Sequence, residues 1–228
     1  MSRQIKVWDL PLRLFHWLLV VSVAVAMLSG IKGNMFVHEK AGLAIVTLLA
    51  FRLAWLFLGS TYARIGALLG ALPRIPDYLR GQWRKPGHNP LGVLSMAAML
   101  LMLGWQSVSG LFTNDDSVFT GPLYRLIDKA DSLWVTGLHR QGLWLIAALV
   151  ALHVATVFFY WLVKKHNLIK PMITGKTEAL NEDYRPATGG RWLAFVFSCL
   201  FAAGAFYAAQ GSWVPKPPPP APASALPF

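Results

Sequence analysis

Six histidines occur in this 228-residue chain, and four of them, His16, His38, His139 and His153, stand within or at the ends of long apolar runs. A neutral imidazole can bind a transition metal or carry a proton, and in lipid it is costly without a partner. His139 and His153 share the run "LHRQGLWLIAALVALHVATVFFYWLVKK" and are fourteen positions apart. In a helix that offset is about 21 Å along the axis, with the second residue within about 40° of the first one's face. The remaining two, His88 and His166, flank apolar runs beside Lys85 and Lys165 and read as solvated or headgroup-facing side chains.

The elements that must position these groups are membrane spans. The chain is 55% hydrophobic and only 14% charged, too little charge for a soluble domain of this length. Five apolar runs, 12–31, 41–59, 91–112, 138–163 and 192–209, are each long enough to cross about 30 Å of hydrocarbon. The first is a retained helix rather than a secretory leader, because it carries Arg13 and His16 and lacks a good cleavage site. Asn89 and Pro90 suit the cap and first position of the third span. Upstream of them, "ARIGALLGALPRIPDYLRGQWRKPG" is basic and aromatic enough to lie along the membrane surface. The acidic loop 113–135 leaves room for the start of the fourth helix. Cys199 is alone, so disulfides and cysteine metal sites are excluded, and it reads as a small buried hydrophobe.

Charge sets an orientation. The N-terminus and the second and fourth connections hold fourteen basic residues against five acidic ones, whereas the opposite side holds six against five. This is a positive-inside pattern, with the N-terminus cytoplasmic and the C-terminus outside. The net charge of +11 therefore reports topology and not a nucleic-acid partner.

With that orientation the histidines fall into two levels, His38 with His139 towards the outside and His16 with His153 towards the inside. Two pairs, each drawn from two different helices, are what two stacked cofactors would need. Haem matches best, since helices of a bundle can place imidazoles on opposite faces of a flat macrocycle. Zinc would want a third or fourth ligand at the same level, and a proton relay would want a carboxylate within the five runs, which contain none. Arg52 lies fourteen residues after His38, at the inner level. Its guanidinium could meet a haem propionate, or reach the inner interface by snorkelling.

Several segments, "VWDLPLRLFHWLL", "VHEKAGLAIVTLLAFRLAWLFLGSTYAR", "GHNPLG" and "LHVATVFFYWLVKKHNLIKPMITGK", resemble the bacterial cytochrome b561 family, which includes the cytochrome b subunits of nickel–iron hydrogenases. The resemblance covers about residues 6 to 176. It implies an all-α integral membrane protein, a four-helix transmembrane bundle holding two b haems through His16, His38, His139 and His153. Residues 1–176 would form that di-haem domain, 177–211 a linker with a fifth transmembrane helix, and 212–228 a proline-rich disordered tail. The resemblance further implies electron transfer in a bacterial inner membrane between the quinone pool and a periplasmic c-type cytochrome or dehydrogenase. An electron-transfer subunit fits better than a stand-alone enzyme. Two rivals are a quinone-coupled oxidoreductase acting on a small periplasmic species such as superoxide, and a transporter or proton channel.

Overall fold

The computed structural model describes residues 3–83, 85–179 and 184–215. Along the chain these are β1 (Gln4–Lys6), α1 (Leu10–Ile31), α2 (Met35–Leu58), α3 (Ile65–Leu69), α4 (Ile75–Leu79), α5 (Pro90–Leu111), α6 (Lys129–Leu162), α7 (Ile169–Thr174), β2 (Lys176–Glu178) and α8 (Trp192–Ala209). Five of the helices, α1, α2, α5, α6 and α8, are long and apolar enough to cross a membrane. The proline-rich tail beyond residue 215 lies outside the described residues, as do Arg84, Glu182 and Asp183.

Caps explain where the spans begin. Asp9 accepts the Leu12 N–H at 2.7 Å, with Pro11 in the first turn of α1. Asn34 accepts the Val37 N–H at 3.2 Å and opens α2. Asn89 accepts the Gly92 N–H at 2.7 Å ahead of Pro90, as the sequence indicates for α5. Each cap satisfies an N–H that the helix cannot. Gly33, at φ +71°, makes the tight connection between α1 and α2.

α6 runs for 34 residues, about 51 Å, longer than a hydrocarbon layer of about 30 Å requires. α2 and α6 begin well before their apolar runs do, and thereby take in Glu39 and Asp131 in their N-terminal turns. The absence of carboxylates holds for the apolar runs but not for the full helices.

α1 packs along α2 and α5 along α6, with α2 also touching α5. The two layers face one another across the interior, where α1 and α6 are not closely packed. α8 lies against α2. Phe195 meets Phe51 and Trp55 edge-on, and Ser198 and Ala202 are buried in the joint. Cys199 is exposed on the free side of α8, a correction to its reading as buried: lipid accepts a small thiol as readily as a core does.

The end of the bundle that holds the N-terminus, here called proximal, is stitched together by distant segments. β1 and β2 pair antiparallel with Ile5 opposite Thr177. The Gly175 carbonyl accepts the N–H groups of Val7 and Trp8 at 2.8 and 3.2 Å. Arg3 donates to the Tyr184 carbonyl at 2.9 Å, and Thr61 N–H to that of Thr188 at 2.8 Å. The described residues of the basic segment 63–87 fold as short helices. Prolines at 73 and 76 break it into α3 and α4, and Leu68 and Ala71 tuck against Val93 of α5.

Candidate functional site

The distal pair joins α2 to α6. His38 stands in the first turn of α2, and its ring centroid is 5.9 Å from that of His139, with the two planes nearly perpendicular at 87°. Both rings are oriented by backbone. His38 Nδ1 is 2.8 Å from the Ala26 carbonyl of α1. His139 Nδ1 is 3.0 Å from the Gln106 carbonyl and 3.2 Å from the Ser109 hydroxyl, both on α5. A carbonyl only accepts, so each Nδ1 carries the proton and each Nε2 keeps its lone pair for a ligand. Two glycines make room: a β-carbon at Gly30 would lie 2.9 Å from His38 Nδ1, and one at Gly110 2.9 Å from His139 Cε1. Beside the rings is a cavity of about 280 Å³ bordered by Gly42, Leu103 and Ile146, with Glu39, Asp115 and Arg140 around it.

The proximal pair joins α1 to α6. His16 and His153 have centroids 6.5 Å apart and planes at 52°. His16 Nδ1 is buried with no hydrogen-bond partner, and Trp17 stands edge-on to the ring. His88 is near this pair, which corrects its reading as solvated. Its ring packs 4.7 Å from Trp8, and its Nδ1 is likewise enclosed without a partner. Burial, then the Arg52 charge, then His153 and His16, push its imidazole down to about 4. The flanking sequence gave no sign of this, because the connection before α5 folds back beneath the bundle. His166 is exposed, as expected.

Arg52 is only 2% exposed, so its guanidinium is covered by protein. It donates to the Ala63 carbonyl at 3.2 Å and contacts Met96 Sδ at 3.9 Å. Asp9, just outside the first apolar run, supplies the nearby negative charge. That carboxylate is itself buried and accepts from Trp55 Nε1 at 3.1 Å, from Ser60 Oγ and from the Leu12 N–H. Counting carboxylates within the apolar runs missed it, although its place before the "LPLR" helix start marks it as a cap.

The donor sets suit a group that brings most of its own ligands. Among the described residues no three His, Cys, Asp or Glu side chains gather to hold a metal ion, which argues against a zinc-type site. An imidazole nitrogen binds a transition metal at about 2 Å, so two rings on opposite sides of one atom have centroids about 6 Å apart. The two pairs here stand at 5.9 and 6.5 Å. With Gly42 opening the cavity wall, the residues present fit a flat macrocycle ligated from both faces.

Comparison with known proteins agrees. The family model described as prokaryotic cytochrome b561 matches residues 7–175. The chain belongs to that family. As a cytochrome b561 it is a multi-pass membrane b-type cytochrome, and membership implies haem b. It is 23% identical to a probable Ni/Fe-hydrogenase 1 B-type cytochrome subunit of Escherichia coli, over 74% of this chain and 88% of that one. It is 22% identical to a probable Ni/Fe-hydrogenase B-type cytochrome subunit of Rhizobium leguminosarum, over 76% and 89%, and 24% identical to one of Azotobacter chroococcum, over 75% and 87%. No solved structure matches the chain. The family match ends at residue 175, so α8 lies outside it.

Proposed function

We propose that this cytochrome b561 carries two b haems, one between His38 and His139 and one between His16 and His153, with Arg52 beside the second. It passes electrons across a bacterial inner membrane between the quinone pool and a periplasmic redox partner, a c-type cytochrome or a dehydrogenase. The observation that carries this reading is the pair of imidazole levels, each drawn from helices on opposite sides of the interior. When bound, haem supplies a reversible one-electron centre, and ligation from both faces leaves no open position for oxygen chemistry.

The chain's own residues do the rest. Ala26 and Gln106 carbonyls hold the distal imidazoles in the tautomer that leaves Nε2 free. α6 holds one histidine of each pair, so a single rigid helix sets the spacing between levels. A lipid-soluble carrier is the partner assigned to the His16–His153 level. The positive-inside pattern supports a periplasmic position for the distal level. The names of the relatives support a hydrogenase as one such dehydrogenase. An anion-attracting site for superoxide has less support, because Arg140 shares the distal cavity border with Glu39 and Asp115.

The test is a reduced-minus-oxidised spectrum of the purified full-length protein with haem quantified per chain. Two haems per chain with b-type bands, both reducible by a quinol, is the expected result. One haem or none overturns the assignment.

A further inference from the structure

His88 lies near the His16–His153 pair without belonging to it, and both His88 and Arg52 reach the start of α5, at Gly92 and Met96. His88 is fixed in place, because Asn89 caps α5 immediately after it and Trp8 packs on its ring at 4.7 Å. Its Nδ1 is enclosed and has no hydrogen-bond partner. Arg52 is buried, and its charge acts on His88. A guanidinium has five N–H donors, and the acceptors seen for Arg52 are one carbonyl and one thioether, the latter weak.

Enclosed donors of this kind call for an anionic acceptor. Asp9 is not that acceptor. Its oxygens take the Leu12 N–H, Trp55 Nε1 and Ser60 Oγ, and among the described residues it forms no ion pair with Arg52. Among the described residues no other carboxylate pairs with Arg52, and a compact anion from outside the chain would satisfy it.

We propose that Arg52 and His88 together form a carboxylate-receiving site beside the proximal pair, and that its occupant is a propionate of the haem held by His16 and His153. This rests on the reading of that pair as a haem site. Arg52 supplies the charge, and His88, as the Nδ1–H tautomer, supplies a second directed hydrogen bond. The site thereby fixes the rotation of the macrocycle about its ligand axis, which the two imidazoles alone leave free.

The experiment offers the full-length chain, produced haem-free in detergent, either iron protoporphyrin IX or its dimethyl ester, in which both carboxylates are blocked. Uptake by the proximal pair is the parent's binding minus that of His16→Ala, which reports the distal pair alone. The parent is expected to prefer the free acid at the proximal pair by roughly tenfold, the worth of one or two charge-assisted hydrogen bonds. His88→Leu and Arg52→Gln should each shrink that preference while leaving the distal spectrum unchanged. Equal uptake of acid and ester by the parent overturns the proposal even if neither variant folds, and so does an undiminished preference in both variants. Should the parent bind neither form beyond His16→Ala, the proximal haem itself is lost and this site with it. That outcome is distinct from equal uptake of both.

Discussion

The His38 ring lies over Gly30, its Nδ1 2.9 Å from where a β-carbon on that glycine would stand. The same ring nitrogen is 2.8 Å from the Ala26 carbonyl one turn away. Gly30→Ala therefore forces the ring off its carbonyl or pushes α2 away from α1. The expected result is loss of the distal haem component with the proximal one retained. Gly110→Ala, which meets His139 Cε1 at 2.9 Å, should act on the same component. Difference spectra of the two variants provide the check, and an intact distal band in both would show that the bundle absorbs the methyl.

The pairing of histidines makes a sharper claim. His38→Ala and His139→Ala should remove one and the same haem, and His16→Ala and His153→Ala the other, because the ring centroids pair at 5.9 and 6.5 Å. Haem content should fall from two per chain to one in each. A common spectral loss in His38→Ala and His16→Ala, with the other component intact, would break the scheme.

Arg52 and Asp9 should move the proximal potential in opposite directions. A fixed positive charge favours the reduced iron, so Arg52→Gln lowers the proximal midpoint. Asp9→Asn keeps a cap acceptor for Leu12 but removes the negative charge, so it raises that midpoint. A charge interaction of about 1–2 kcal/mol, reasonable at an effective dielectric near 20, corresponds to roughly 40–90 mV for one electron. Redox titration in detergent measures both shifts, and the distal midpoint serves as the internal reference.

Orientation can be tested without the cofactor. A reporter fused after Lys176 should behave as cytoplasmic and one after Phe228 as periplasmic, given the fourteen basic residues on the proximal side. The reverse pattern would exchange the partners assigned to the two levels.

The parts of this protein legible in the sequence are those that lipid makes expensive to get wrong. Apolar runs mark α1, α2, α5, α6 and α8, and an imidazole inside such a run stands out against its neighbours. The 14-residue offset of His139 and His153 works because a helix in lipid has few ways to deviate. Outside the hydrocarbon these constraints vanish. The first turns of α6, with Asp131, carry no apolar signal, so the helix begins well before its run does. His88 and Asp9 sit in polar flanks whose folding depends on residues far along the chain, and no local pattern shows that Asp9 becomes buried or that His88 Nδ1 becomes enclosed.

The stitching of the proximal end also imposes an order on biogenesis. Arg3 waits for Tyr184, 181 positions later, and Ile5 for Thr177, so the first residues translated find their partners only near the end of synthesis. Domains form largely in the order they emerge from the ribosome. α1, α2, α5 and α6 can thus insert and assemble while β1 is still without its partner strand. A chain truncated before Lys176 would leave β1 without its partner strand and the proximal end unstitched.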